Sequence, residues 1–182
     1  EHNDYGILVE SPAFEIERVQ ITNCTVRNSH RSHFITVSSS RNVLIRNNTV
    51  EDNGLSLFMD NQALQEAFSQ GRDYADGRSQ GINIANSDNV SISHCSVVNT
   101  SSDGIAVTGP AEEGKAGCNN VTIEDNFVKS NGEQGIWIVD VNDIEICNNN
   151  VTQNAHRKEN TGGSSGIELE GLVRKASIHH ND

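Results

Sequence analysis

The 182-residue sequence has little of what several protein classes need. Aromatic residues make up only 4% of it, with two prolines and one tryptophan. No apolar run approaches the roughly 18 residues of a membrane helix, and no signal-peptide pattern opens the chain. Lys and Arg number 13 against 25 Asp and Glu. Because phosphate binding needs clustered cations, we expect a soluble domain with no membrane span and no nucleic-acid partner.

What the chain does have is repetition. The phrase Gly-Ile-x-Val, or a close variant, alternates with a second phrase, Val-x-Ile-x-x-Asn-x-Val, and each occurs about six times. Copies of the first phrase begin at Gly6, Phe34, Gly81, Gly104, Gly135 and Gly166. A repeated unit of this length indicates a solenoid. Three short runs per unit alternate β-branched with polar residues, which predicts three strands per coil.

These two phrases resemble the right-handed parallel β-helix superfamily, the pectin-lyase-like fold, over essentially the whole chain. The resemblance implies an all-β solenoid of about six coils, each with three short strands. It also implies a ladder of stacked side chains in a tight turn, where Asn tolerates left-handed backbone geometry. The ladder positions would be Asn48, Asn126, Asn149 and Asn181, with Cys24 and Cys95 in the same slot.

The same resemblance sets the domain organisation. Residues 1–182 should form one domain, and we expect it to be a piece of a longer solenoid because neither end of the sequence shows an amphipathic cap. Cys24 and Cys95 would lie two coils apart, roughly 9.6 Å, which is too far for a disulfide. We therefore predict two buried, free thiols. Cys118 and Cys147 lie at other phases of the repeat, and no Cys or His spacing predicts a metal site.

Two connections before a Gly-Ile strand are expanded, at residues 54–80 and 154–165, and both open on the same edge of the coil. Departures from a repeat are where function is commonly carried. In the longer insertion an N-cap, an apolar pair four residues apart and a closing glycine predict one short helix. These signals are Asp60, Leu64, Phe68 and Gly71.

Cationic side chains collect in these connections although the chain is acidic. They are His30, Arg31, His33, Arg72, Arg78, His156, Arg157 and Lys158. A groove bordered by them would suit the carboxylate or sulfate groups of a sugar polymer. From this set we take His33, Arg72, Arg78 and Arg157 as substrate-binding candidates. The alternative is that polar loops simply carry charge.

Further candidates come from the outward positions of the Gly-Ile-x-Val strands, namely Asn83, Trp137, Glu168 and Glu170, and from Asp103 just before its glycine. Strand alternation places Trp137 outside the coil. An exposed indole beside carboxylates is a common platform for a sugar ring. In the alternative, the 154–165 loop covers this side chain.

A narrower resemblance covers residues 77–109, which look like part of the polygalacturonase-type glycoside hydrolases. Matched onto the family's three aspartates, Gln80 and Ser102 replace two of them, and Asp103 remains. The family's histidine and its R-I-K motif have no match. Because inverting hydrolysis needs an acid and a base about 6.5 to 9.5 Å apart, the resemblance implies the place of a groove rather than that mechanism.

Three functions therefore stay open. A hydrolase could use Asp103 and Glu168, which lie two coils, roughly 9.6 Å, apart. A lyase or uronate epimerase would need a base such as Tyr74, His156 or Lys158, with an arginine or a metal ion such as Ca²⁺ neutralising the substrate carboxylate. The third is a non-catalytic carbohydrate-binding or structural β-helix. The resemblance implies a polysaccharide or oligosaccharide partner and an extracellular or periplasmic location, and the sequence identifies no cofactor.

Overall fold

The structure, a computed structural model, describes residues 6–11, 16–27, 33–53, 79–109, 117–155 and 165–182. These residues form strands, and every strand pairing among them is parallel. The strands are β1 (Ile7–Glu10), β2 (Ile16–Glu17), β3 (Gln20–Thr22), β4 (Thr25–Arg27), β5 (Ile35–Ser38), β6 (Ser40–Arg46), β7 (Thr49–Asn53), β8 (Ile82–Ala85), β9 (Asp88–Ser93), β10 (Ser96–Thr100), β11 (Ile105–Thr108), β12 (Cys118–Glu124), β13 (Phe127–Lys129), β14 (Ile136–Val139), β15 (Val141–Cys147), β16 (Asn150–Thr152), β17 (Ile167–Glu170) and β18 (Arg174–His179).

The strands build three sheets that run along the solenoid. The first sheet has the order β1-β5-β8-β11-β14-β17, and the third has the order β4-β7-β10-β13-β16. The second sheet has the order β2-β6-β9-β12-β15-β18, with β3 also pairing β6. Each of the first five described coils therefore gives a strand to each sheet in turn, and the sixth gives β17 and β18, which confirms the predicted parallel β-helix.

The core lies inside the coil and follows the repeat. Ile35, Ile82, Ile105 and Ile136 are in register on neighbouring strands of the first sheet and are fully buried. Side chains alternate across a strand, so every second residue points inward. Burying one such side chain contributes about 1.5 to 3 kcal/mol, so the stacked apolar columns supply much of the stability of this aromatic-poor chain.

The corners of the coil use residues with positive φ. Between the second and third strands these residues are Asn23, Asn47, His94, Asp125, Asn148 and His180. Each stands one position before a ladder residue, so the expectation that the ladder Asn itself is left-handed was wrong. The left-handed residue redirects the chain, and the next side chain then points into the coil, where Asn48 is only 1% exposed.

The ladder itself is confirmed. Asn149 Oδ1 accepts hydrogen bonds from the backbone N (3.0 Å) and Nδ2 (2.9 Å) of Asn126. Asn181 Oδ1 accepts the equivalent pair from Asn149, at 2.9 and 3.0 Å. The backbone N of Cys24 donates to Asn48 Oδ1 at 2.9 Å. Each amide thus satisfies the backbone of the preceding coil, which buried polar groups require.

A second ladder, which the sequence analysis missed, follows the third strands. The backbone N of Thr100 donates to Asn131 Oδ1 at 3.0 Å, and Asn131 donates through N and Nδ2 to Asn154 Oδ1 at 3.1 and 2.9 Å. Thr100 Oγ1 also donates to Asn131 Oδ1 at 2.9 Å and lies 3.0 Å from the carbonyl oxygens of Ser102 and Asp103. This ladder therefore orders the chain leading to the next first-sheet strand.

The cysteine predictions hold with one correction. Cys24, Cys95, Cys118 and Cys147 are all free thiols, and Cys95 is buried. Asn48 lies between the first two, with Nδ2 4.0 Å from Cys95 Sγ. Cys24 is only partly buried, because it lies on the first described coil and no earlier described coil packs against it.

Most of both insertions lies outside the described residues, at 54–78 and 156–164, and so does the predicted short helix. None of the described residues forms a helix of the length and apolar character that crossing a membrane needs.

Substitution by Ala should affect stability very differently at two glycines, Gly135 and Gly166, that occupy the same position of neighbouring coils. A Cβ on Gly135 would come within 2.7 Å of Asn154 Nδ2 and of the carbonyl oxygen of Gly166. Among the described residues, a Cβ on Gly166 would meet nothing closer than Val151 Cγ1 at 3.7 Å. We expect Gly135→Ala to lower the free energy of unfolding by about 1 to 3 kcal/mol and Gly166→Ala to change it little, as measured by urea unfolding. Equal losses would contradict the close packing at Gly135.

Candidate functional site

A column of polar residues runs along the edge of the first sheet, two positions before the first residue of each first-sheet strand from β5 to β17. Its members, here called the edge column, are His33, Gln80, Asp103, Gln134 and Ser165. Gln80 donates its backbone N–H to His33 Nδ1 at 3.3 Å and its Nε2 to Asp103 Oδ2 at 3.1 Å. The backbone N of Gln134 donates to Asp103 Oδ1 at 3.2 Å. The column is thus hydrogen-bonded across four successive coils.

The repeat holds this column in place through the backbone. The N–H of Gly81 donates to the carbonyl oxygen of Asp103 at 3.0 Å, and the N–H of Gly104 donates to that of Gln134 at 3.0 Å. Thr100 Oγ1 lies 3.0 Å from the same Asp103 carbonyl oxygen. Asp103 is therefore carried on a backbone whose position is fixed by its own coil and by the coil before it.

Asp103 is the most perturbed carboxyl among the described residues. Its side chain is buried, with the residue only 2% exposed. Burial is the main cause that raises the pKa of Asp103 to about 6, and the charge of Glu133 raises it further. Hydrogen bonds from Gln80, Gln134 and Ser102 act in the opposite direction. Near pH 6 the group can thus hold or release a proton, which general acid–base chemistry requires.

Glu133 is a second carboxyl at this edge, and the sequence analysis missed it. Ser102 Oγ lies 2.8 Å from Glu133 Oε2 and 3.3 Å from Asp103 Oδ2, so the hydroxyl sits between the two carboxyl groups. Ser102 and Glu133 each stand two positions before the glycine of a first-sheet strand. Ser102 was named from the sequence, and comparing its position with the same position of the next repeat would have found Glu133 as well.

Glu168 joins the same network through Gln134, whose Nε2 donates to Glu168 Oε2 at 2.7 Å. In the strand register Ala106 pairs with Trp137 and Trp137 with Glu168, so β11 and β17 lie two strands apart. The structure therefore brings the predicted pair Asp103 and Glu168 into one hydrogen-bonded network, with a single residue between them.

The other described candidates lie on the outward face of the first sheet as predicted. Asn83 and Trp137 are partly buried, and Glu170, at the end of β17, is exposed. Trp137 is less open than expected: its Nε1 is buried and, among the described residues, has no hydrogen-bond partner. Thr36 Oγ1, on the same face, is also buried and likewise has no hydrogen-bond partner among the described residues.

The cationic rim is only partly described. Six predicted site residues lie outside the described residues, so their roles stay predictions. They are Arg72, Tyr74, Arg78, His156, Arg157 and Lys158. His33 is described, and burial lowers its pKa. The neutral imidazole can accept the N–H of Gln80 through Nδ1. At neutral pH His33 therefore contributes a hydrogen-bond acceptor to this edge rather than the positive charge that we expected.

A stability measurement can test the state of Asp103 independently of any activity. Its folded-state pKa is about 6 against an ordinary 3.8. Between these values the folded chain keeps a proton that the unfolded chain has released, so stability should fall as pH rises from about 4 to about 6. The full contribution is roughly 3 kcal/mol at about 1.4 kcal/mol per pKa unit. Asp103→Asn should flatten this part of the profile in urea unfolding at pH 4 and 7, whereas unchanged slopes would contradict the raised pKa.

Comparison with known proteins agrees with this architecture. A family model described as the right-handed β-helix region matches residues 5–182. A crystal structure of a provisionally assigned glycosyl hydrolase from Parabacteroides merdae ATCC 43184 superposes with a TM-score of 0.52. The two share 11% sequence identity, and the match covers 89% of this chain and 77% of the other. No curated protein matches the sequence.

Proposed function

The chain belongs to the right-handed β-helix family, and from that premise we propose that it binds an extended acidic polysaccharide along the first-sheet edge and hydrolyses it. The substrate would lie across successive coils, with its chain following the edge column. The arginines predicted for the rim, Arg72, Arg78 and Arg157, would neutralise uronate or sulfate groups. Such polymers lie outside the cytoplasm, so we place the protein in the extracellular or periplasmic space, which fractionation of the source cells would test.

One observation carries the proposal: a continuous polar network on the strand edge contains Asp103, whose pKa is about 6, and connects it through Gln134 to a second carboxyl, Glu168. Glycoside hydrolysis uses such a pair, with one carboxyl protonated and the other ionised. Burial raises the pKa of Asp103, so this group keeps its proton below about pH 6. Glu168 is a half-buried group at the end of the network. The Parabacteroides merdae protein, a provisionally assigned glycosyl hydrolase, offers one example of this activity on a similar fold.

In the proposed reaction Asp103 gives its proton to the glycosidic oxygen as the bond from that oxygen to the anomeric carbon breaks. Glu168 takes a proton from the water that attacks the anomeric carbon from the opposite face. A backbone spacing of two coils, roughly 9.6 Å, lies just above the range of about 6.5 to 9.5 Å for inversion, so the two side chains would lean toward each other across the substrate. The sugar oxygen would reach Asp103 Oδ2 by displacing the Nε2 donor of Gln80.

A second function, binding without cleavage, is favoured by a different observation. Asp103 is 2% exposed and already receives hydrogen bonds from Gln80 and Gln134. A carboxyl that only orders the edge would have this environment. The outward face would then bind sugar through Trp137 and Asn83, as a carbohydrate-binding or structural β-helix does.

The deciding experiment is a panel of pectate, alginate, glycosaminoglycans and neutral glycans, with new reducing ends and ultraviolet absorbance of unsaturated uronate followed together. Reducing ends without absorbance are the expected result. Both signals together would overturn hydrolysis in favour of a lyase, and attention would pass to Tyr74, His156 and Lys158. Retained binding with neither signal would favour the binding protein. Epimerisation, which gives neither signal, would appear as a change in uronate composition by NMR.

A further inference from the structure

A second cluster of reactive side chains lies on the second sheet, on its outward face. Cys147 on β15 and His179 on β18 are direct neighbours in the strand register. Glu145 stands two residues before Cys147, so its side chain lies on the same face of β15. One ligand atom from each of the three residues lies within 4.8 Å of the other two. The sequence analysis found no metal spacing, because β15 and β18 are brought together only by the stacking of coils.

The spacing of these atoms suits a tetrahedral metal ion. His179 Nε2 and Glu145 Oε1 are 3.1 Å apart. Bonds of about 2.0 to 2.3 Å in tetrahedral geometry put ligand atoms roughly 3.4 to 3.6 Å from one another. The side chains of His179 and Glu145 are 40% and 52% exposed, so both can rotate by the small amount needed. Because these two side chains are exposed, a water molecule would serve as the fourth ligand.

The surrounding charge is negative. Glu124 is the register neighbour of Cys147 on β12, and Asp125 follows it. Burial, and then the carboxylates of Glu145, Glu124 and Asp125, raise the pKa of the Cys147 thiol. A divalent cation would have the opposite effect on the pKa of the thiol, because a metal ion bound to sulfur favours the thiolate. The negative charges that now disfavour ionisation of Cys147 would then help to hold the cation.

A supporting contact is already present behind His179. Its Nδ1 lies 2.8 Å from His180 Nδ1, and the two rings meet edge to face. A histidine that binds a metal through one ring nitrogen usually donates the other N–H to a fixed acceptor, which sets the tautomer. Here Nε2 of His179 faces Glu145, while Nδ1 faces the second imidazole.

From this arrangement we propose that Glu145, Cys147 and His179 bind one divalent ion of the Zn²⁺ or Co²⁺ type. A set of one sulfur, one nitrogen and one oxygen favours such ions over Ca²⁺ and Mg²⁺, which select oxygen ligands. The ion would link β15 to β18 and so fasten the sixth described coil to the fifth. The site lies on a different sheet from the edge column, and this proposal stands or falls independently of the proposed hydrolysis.

The test is a titration of the metal-free, full chain with Co²⁺. We expect one equivalent to bind and to produce the near-ultraviolet absorption of a thiolate–cobalt bond, which Zn²⁺ abolishes and Ca²⁺ leaves unchanged. Zn²⁺ at about a hundred times its Kd should raise Tm by roughly 5 to 10 °C. Absence of the thiolate band from the native chain would overturn the proposal.

Two cysteine variants make the assignment specific. Cys147→Ser should lose the thiolate band, and Cys24→Ser, which removes the partly exposed thiol of another coil, should keep it. A band that persists in Cys147→Ser would also overturn the proposal. His180→Ala keeps all three ligands and should weaken Zn²⁺ binding about 10- to 100-fold through loss of the supporting contact. Circular dichroism of each metal-free variant checks that the β-helix is retained.

Discussion

Asp103→Asn should lower the rate of polysaccharide hydrolysis by about 10²- to 10⁴-fold, the usual contribution of a positioned general acid. Asn keeps the size of the side chain and can still accept the backbone N–H of Gln134, but it has no proton to give to the leaving oxygen. The loss should therefore appear in kcat, while KM changes little, because binding along the edge column is retained. Reducing-end assays on the substrate found in the panel would measure both constants.

The pH profile provides a second readout of the same group. Only protonated Asp103 can act as the acid, so kcat/KM of the native protein should fall as pH rises through about 6, as expected for loss of an essential acid. Asp143→Asn is the matched control. Asp143 is an exposed left-handed residue on the second sheet, and three coils already carry Asn at that position, at Asn42, Asn89 and Asn120. A native rate in Asp103→Asn, or a tenfold loss in the control, would refute the assignment.

Asn149→Ala should lower the free energy of unfolding by roughly 3 to 5 kcal/mol, the largest stability effect that we expect from a single polar residue in this chain. Asn149 Nδ2 donates to the carbonyl oxygen of Ile123 at 2.9 Å, and Oδ1 accepts two hydrogen bonds from Asn126. Removal of this amide leaves several buried polar groups without partners, at about 1 to 3 kcal/mol each. Urea unfolding would measure the loss.

Asn119→Ala is the comparison that separates burial from hydrogen bonding as such. Asn119 also takes part in a stack, donating to Asp88 Oδ1 at 2.8 Å and accepting from Asn142 at 3.3 Å. It lies half-buried on the outer face of the second sheet, where water can replace the lost partners. We expect a loss of about 1 kcal/mol or less. If the two variants lost equal stability, the ladder would not owe its strength to burial.

The fold could be predicted because its information is local and repeated. Alternation of Ile and Val with polar residues in each Gly-Ile-x-Val phrase specifies which side chains enter the core. The ladder at Asn126 and Asn149 followed from the resemblance, and the structure confirms it. The residue with positive φ was predicted one position too late, at the ladder Asn itself. The repeated phrase shows that a turn exists, but not which of its residues adopts the left-handed conformation.

The site was predicted less completely. Asp103 and Glu168 were found as outward or edge positions, but their connection through Gln134 was not. Glu133 was missed because no single repeat shows that the position of Ser102 in the next coil carries a carboxyl facing Asp103. Ser102 and Glu133 are 31 residues apart in sequence, and Gln134 and Glu168 are 34 apart. The number of residues in each coil determines which side chains face one another. Insertions make that number vary, so the sequence separation of two facing residues cannot be read from the repeat.

The sequence by itself therefore determined the parallel solenoid, its three strands per coil and the inward columns, since these depend on alternation and turn chemistry within one repeat. Only the tertiary structure decided which polar groups face one another across coils. It buried Asp103 beside Glu133 and so moved a carboxyl pKa to about 6, and it placed His179 next to Cys147. Desolvation and close charge depend on neighbours brought together by strand register, and no single repeat contains that information.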